Sequence, residues 1–402
     1  MIDSLCIDSV LLGTEKNLVI DDGYWWTTNV PASSWHLSGT CKLHSDRCLD
    51  TLLRLNNAVI DVSPPKRFVS AMSTLMLGSN MQVPWVQVMS ERDHRAFMKN
   101  LINRLVEVFS TLSKDYYVNT WVPQAAVLRS LQPAKISKHR FEEVLVESGM
   151  NSRVVEGFRP GTDGYAMPIT YDRFGTRTGR LTVESGPSIL TVKKEYRDMI
   201  TSAFPGGKIA YVDFAALEVR ILLYETGGHC DEVDIYTHIS QQAFGGSVSR
   251  KATKGAVISE LYGSSKAALG AVLGIQGKEL NEFVNRVKDF FQTTQLRKKI
   301  KDEFIKTGYI TNRYGRKILI EDPLDHIFIN SYAQSTGVDV SLLGFSSIVE
   351  QLQGYSGIRP LFVLHDALLL DVSPDCFGIL NEIKKVNVPG YEQVFPLKVE
   401  FL

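Results

Sequence analysis

The sequence carries no net charge: 44 Lys and Arg are balanced by 44 Asp and Glu over 402 residues. No overall field therefore draws a polyanion to it, and any nucleic-acid contact must come from a local basic stripe offset elsewhere. No apolar run approaches the roughly 18 residues that a spanning helix needs, so no membrane association is expected. The first residues, Met1-Ile-Asp-Ser-Leu-Cys-Ile-Asp8, do not place a basic segment ahead of a long apolar one. No signal peptide is read there, and a cytoplasmic location is expected. Cysteine is scarce, five residues scattered along the chain, an odd number that argues for reduced thiols over a disulfide framework. What remains is ordinary for a soluble globular protein, 44% hydrophobic and 22% charged, and long enough for two to four lobes.

Against that plain background two stretches stand out. In Ile209-Ala-Tyr-Val-Asp213-Phe214 apolar residues flank one carboxylate, the pattern of a short buried strand, and Leu217-Glu-Val-Arg-Ile-Leu-Leu-Tyr224 then starts a helix. A carboxylate on a buried strand is costly to ionise unless a cation meets it, although a turn or capping aspartate gives the same pattern. In Leu361-Phe-Val-Leu-His-Asp366-Ala-Leu-Leu-Leu-Asp-Val372 two apolar arms flank His365-Asp366, which reads as a hairpin with the carboxylate at its tip. Two such carboxylates meeting at one sheet edge would hold hard divalent cations, the arrangement for in-line displacement at phosphorus.

The rest of the chain supplies context. Tyr24-Trp-Trp26 and Trp35 read as core bulk, and His36, Cys41, His44 and Cys48 have zinc-ligand types at a spacing that fits no common pattern, so thiols are the better reading. From a cap at Asp93, Phe97, Leu101, Leu105, Val108 and Leu112 recur at helical spacing. Further helices are expected at Ala125–Leu131 and Phe141–Glu147. Lys135-Ile-Ser-Lys-His-Arg140 is either a solvated turn or a phosphate grip. Arg173, Arg177 and Arg180 form a basic loop able to lie along a nucleic-acid groove. Arg250, Lys254, Ile258 and Tyr262 recur every four residues, one stripe of a helix. That stripe is either an amphipathic helix with a basic end or a nucleotide-reading face, cations on a triphosphate and an aromatic on a base. Lys278–Thr307 reads as a long helical region, Thr311–Lys317 as a hairpin turn, and Ile327–Gln351 as a helix placing Asn330 and Gln334 one turn apart.

Taken in order, VDFAALEVR, RKATKGAVISELYG and VLHDALLLDV, with TGRL at 178–181 and Asn330-Ser-Tyr-Ala-Gln334, resemble the motifs of the family A (polymerase I-like) DNA polymerases. The resemblance covers about Arg173 to the C-terminus. It implies an α+β, right-hand fold: an antiparallel-sheet palm in two parts (171–222 and 321–402), helical fingers (223–320) and a thumb-like helical region (91–170). Residues 1–90 keep no assigned role. It implies template-directed DNA synthesis from dNTPs on a primer-template by a monomer. Asp213 and Asp366, with the Phe214 carbonyl, would ligate two Mg2+ ions, Mn2+ able to substitute. Arg250 and Lys254 would hold the triphosphate, Lys254 also as an acid, and Tyr236 stands where the family has a His. Glu218 would be the steric gate against a ribose 2′-hydroxyl. Tyr262, with Gly263, would stack at the templating position. Arg180, Asn330 and Gln334 would read the minor groove, where acceptors are nearly sequence-independent, and His365 would help place the primer terminus.

Three further departures accompany the resemblance. Ala367 replaces the Glu of the third motif, Ile258 stands where the family has Phe or Tyr, and Gly186-Pro-Ser-Ile-Leu190 lacks the usual Asn and Gln. No Asp-x-Glu pair of a proofreading exonuclease is read in the N-terminal part. Editing, processivity or unwinding would then need a separate exonuclease, processivity factor or helicase, a compact, phage-like arrangement working in a bacterial host cytoplasm. The competing readings are a single-subunit RNA polymerase, against which Glu218 argues, and a non-catalytic DNA-binding accessory protein, against which the retained aspartates and Lys254 argue.

Overall fold

Residues 4–40, 46–63, 65–75, 89–230, 232–262 and 266–401 are described by the structure, a computed structural model. The chain divides into two compact units, Met1–Val122 and Pro123–Leu402, and the 91–170 span lies on both sides of that boundary.

The first unit contains a small mixed sheet. Strands β1 (Leu5–Ile7), β2 (Asn17–Ile20) and β3 (Tyr24–Thr27) run antiparallel, and β4 (Trp35–Leu37) pairs parallel to β1, in the order β3-β2-β1-β4. Strands of three or four residues are too short for a period-2 pattern to emerge from sequence. Its helices are α1 (Ser9–Leu12), α2 (Leu49–Leu55), α3 (Lys66–Leu75) and α4 (Glu91–Thr111). α4 buries Phe97, Leu101, Leu105 and Phe109 on one stripe. Its cap is Ser90 and not Asp93: the Ser90 hydroxyl accepts the Asp93 N–H at 3.1 Å and donates to the Asp93 carboxylate at 2.9 Å, which moves the start one turn earlier. Trp35 is core, its ring 5.8 Å from Phe109 and 5.1 Å from Tyr117. Tyr24 and Trp25 are instead exposed, because β3 is the last strand of the sheet. Of the four zinc candidates, Cys41 and His44 lie outside the described residues. His36 faces Asp8 at 3.6 Å, and the Cys48 thiol is buried and accepts from Thr51.

α5 (Val122–Ser130) starts at the boundary residue, and the second unit continues with β5 (Lys135–Ile136), α6 (Lys138–Glu147), α7 (Ser152–Glu156), the β6 (Thr170–Asp172)/β7 (Thr182–Ser185) hairpin and β8 (Ile200–Thr201), which pairs with β5. In the basic cluster of α6, Arg140 is committed within the protein, donating to Glu143, Glu147 and Asp198 at 3.3, 2.9 and 2.8 Å.

β9 (Lys208–Phe214) and α8 (Leu217–Glu225) follow. Then come α9 (Ile235–Phe244), α10 (Arg250–Tyr262), α11 (Lys266–Leu273), α12 (Gly277–Phe291), α13 (Thr293–Thr307), the β10 (Tyr309–Thr311)/β11 (Lys317–Leu319) hairpin and the 28-residue α14 (Asp325–Leu352). The helical region from 278 is thus two helices, broken at Gln292, which takes φ 46° without a glycine or proline to announce it. β12 (Ile358–Leu364), β13 (Ala367–Val372), α15 (Phe377–Glu382), β14 (Lys385–Asn387) and β15 (Val394–Phe401) complete the unit.

Five of these strands form one antiparallel sheet, β12-β13-β9-β15-β14. Ala210, Val212, Phe214, Leu368, Leu370 and Leu397 are buried in a core shared with α8 and α14. Ile209, Leu361, Phe362 and Leu369 are buried in a second core shared with Ile136, Phe141, Phe158 and Ile200. Two buried faces explain why these strands read as nearly continuous apolar runs rather than alternating ones.

Candidate active site

The sheet register brings the two carboxylates together. Asp213 sits near the end of β9, paired across to Ala367, the first residue of β13, and Asp366 precedes Ala367 in the two-residue turn of the β12/β13 hairpin. The Phe214 N–H donates to the Asp366 carbonyl at 3.0 Å and ties the two ends. Two non-glycine residues with left-handed backbone flank the pair, Ala216 at φ 54° and His365 at φ 56°. Such conformations cost free energy and persist where surrounding structure enforces them. Here the enforcement is the hairpin on one side and α8 on the other.

Burial raises the proton affinity of both acids, and the Asp366 charge adds to it at Asp213, pushing that carboxyl from 3.8 up to about 7. No third acidic, His or Cys side chain joins them among the described residues, and neither aspartate has an ion-pair partner there. Two hard oxygen donors with unbalanced charge are a fitting set for a divalent ion.

The aspartates line a cleft of about 720 Å³ with Phe214, Glu218, Arg180, Tyr236, Arg250, Lys254, Ile258, Gln334 and His365. α10 presents Arg250, Lys254 and Ile258 on one stripe. Arg250 pairs with Asp234, the cap of α9, and the Arg250 and Lys254 charges lie 5.7 and 5.8 Å from the ring centroid of buried Tyr236. Tyr236 therefore forms an aromatic floor under both cations. Arg180 donates to Glu218 at 2.7 Å, while burial raises the Glu218 carboxyl. Burial, followed by the Arg180 charge, lowers His365 and favours its neutral ring.

The remaining candidates distribute differently. Asn330 lies one turn before Gln334 on α14 and is not among the residues that line the cleft. The Tyr262 side chain and Gly263 lie outside the described residues. Arg173 is buried beside Gln124, which donates to Asp339 at 2.7 Å, so it is framework rather than groove.

Three residues matter to which the sequence alone assigns no role. Arg220, fully buried, donates to the carbonyls of Ala215, Cys230 and Val233 at 2.7, 2.7 and 3.0 Å and fastens α8 to the segment leading to Asp234. The signal was an arginine set among the buried apolar residues of α8. Gly179, at φ 81°, lies so close to Arg316 that a Cβ would stand 2.5 Å from its guanidinium, which fixes the approach to Arg180. Lys398 lines the cleft on β15 in register with Asp213, a pairing that no local pattern reveals.

The profile of DNA polymerase family A matches residues 124–401, well over half of the chain. The chain belongs to DNA polymerase family A. Within the family it is 25% identical over 259 residues to the thermostable DNA polymerase I of Thermus filiformis, covering 57% of this chain and 31% of that one. It is 24% identical over 289 residues to DNA polymerase I of Bacillus subtilis (63% and 32%), and 26% identical over 151 residues to the DNA polymerase of Mycobacterium phage D29 (35% and 25%). The chain thus spans about a third or less of the length of these curated relatives. A solved structure, the POL domain of Pol1 from M. smegmatis in complex with DNA primer-template and dNTP, superposes with a TM-score of 0.50 at 14% identity, over 88% of this chain and 62% of that one. At that identity the likeness speaks to fold, and the α+β, right-hand polymerase class follows from it and from the family.

Proposed function

We propose that this chain is a template-directed DNA polymerase that adds deoxynucleotides to a primer 3′-hydroxyl, without proofreading of its own. The observation that carries the reading is the meeting of Asp213 and Asp366 at one end of the sheet, in one cleft with the Arg250 and Lys254 stripe. Asp213 and Asp366, with the Phe214 carbonyl, would hold two Mg2+ or Mn2+ ions, which when bound supply Lewis-acid activation of the 3′-hydroxyl and charge neutralisation at the leaving pyrophosphate.

The chain's own residues do the rest. Arg250 and Lys254, one turn apart, bind triphosphate oxygens, and Lys254 donates a proton to the departing pyrophosphate. Tyr236 holds both cations by its ring face and offers a hydroxyl, not a charge, to the phosphates. Glu218, held by Arg180, occupies the space that a ribose 2′-hydroxyl would need. Gln334 contacts the nascent pair from the minor groove, joined by Arg180 once its bond to Glu218 is exchanged. Neutral His365 hydrogen-bonds at the primer terminus. Ile258 supplies apolar bulk against the incoming nucleotide without ring stacking.

The test is primer extension with dNTPs and Mg2+, wild type beside Asp213→Ala and Asp366→Ala. Wild type should extend as the template directs. Each variant should lose several orders of magnitude while keeping primer-template affinity. Binding without extension by wild type would turn the reading to the accessory protein, and faster extension with ribonucleotides to an RNA polymerase. A mismatched 3′ end should stay intact under the same conditions.

A further inference from the structure

Asp213 stands on a central strand and has a directly opposed residue on each side, Ala367 on β13 and Lys398 on β15. Directly opposed residues of antiparallel strands share one face, with Cβ atoms about 4.5–5.5 Å apart. The carboxylate is therefore flanked by a methyl group on one side and a lysine on the other. Lys398 is exposed, lines the same cleft, and forms no ion pair among the described residues. Its ammonium acts on Asp213 through space, opposing the effect of Asp366. Glu400, two residues on and paired to Tyr211, also acts on Asp213, more weakly than Lys398 and in the same sense as Asp366.

We propose that Lys398 is a built-in counter-ion to the Asp213–Asp366 pair that weakens divalent-metal binding to the free protein. The inference rests on the two-metal reading above and adds to it a residue outside the recognised motifs. A cation beside two carboxylates offsets part of their charge and repels an arriving divalent ion. Ala367 contributes no carboxylate to restore the balance. Metal occupancy then depends on the further negative charge that a bound triphosphate brings.

The experiment is calorimetric titration of Mn2+ into the full chain without DNA or nucleotide. It compares wild type, Lys398→Met, Lys398→Arg, Asp213→Asn and Lys306→Met, the last removing an exposed lysine at the end of α13. Lys398→Met should bind Mn2+ about tenfold more tightly. Lys398→Arg and Lys306→Met should match wild type, and Asp213→Asn should bind weakly or not at all. Unchanged or weaker binding by Lys398→Met, with binding still lost in Asp213→Asn, overturns the counter-ion role and leaves the metal site standing. Loss of primer-template affinity in Lys398→Met with unaltered Mn2+ binding would assign the lysine to a DNA phosphate instead. Binding that Asp213→Asn leaves intact would remove the two-metal reading, and this inference with it.

Discussion

Replacing Asp213 by Asn should abolish extension and yet stabilise the metal-free protein. Burial and the Asp366 charge push the Asp213 carboxyl from 3.8 up to about 7. At about 1.4 kcal/mol per tenfold change in proton affinity, ionising it above pH 7 opposes folding by at most about 4 kcal/mol. The group is partly exposed, and solvent screening removes more than half of that, leaving about 1–2 kcal/mol. For a unit of this size that corresponds to a rise in Tm of roughly 2–8 °C. The sign follows from proton binding: between pH 4 and 7 the folded state holds a proton that the unfolded chain has released, so wild-type stability falls as pH rises through this window. The asparagine variant lacks that loss. Thermal unfolding in chelator should therefore show little difference near pH 4, a gap that widens to pH 7, and a plateau above. Added Mg2+ should raise the wild type and leave the variant nearly unmoved. A variant less stable than wild type at pH 8 in chelator, or a gap independent of pH, would refute the claim that Asp213 is electrostatically strained.

Other substitutions separate the roles of the cleft. Glu218→Ala should relax discrimination against ribonucleotides by roughly 10- to 200-fold, the range a site gains by excluding one small group, read from competing dNTP and rNTP incorporation. Lys254→Ala should lower the single-turnover rate by about 10²–10⁴, and Lys254→Arg should recover nucleotide affinity more than rate, because a guanidinium does not give up its proton. Gly344→Ala would place a Cβ 2.7 Å from the Phe214 ring on the far side of the sheet from Asp213. It should cost about 1–3 kcal/mol in denaturant unfolding and reduce extension by shifting β9.

Local pattern alone determined much of the catalytic half. β9, the β12/β13 hairpin, α8, α10 and α14 each announce themselves by apolar runs, four-residue spacing or a turn pair, because those signals are set by neighbours in the chain. The candidate acids and the cations of α10 could be picked out the same way. Other features were decided only when distant segments met. The strands of the first unit are too short to carry a period. Gln292 breaks a helix with no breaker residue, and Ser90, not Asp93, takes the cap of α4. Arg173 goes inside while Arg180 of the same loop stays in the cleft, a choice made by Gln124. Tyr236 lies beneath Arg250 and Lys254 because α9 packs on α10. Lys398 faces Asp213 through the register of two strands far apart in sequence, and a shift of one residue would have turned it to the other face. Periodicity tells which side of an element is apolar; only packing decides which charge meets which.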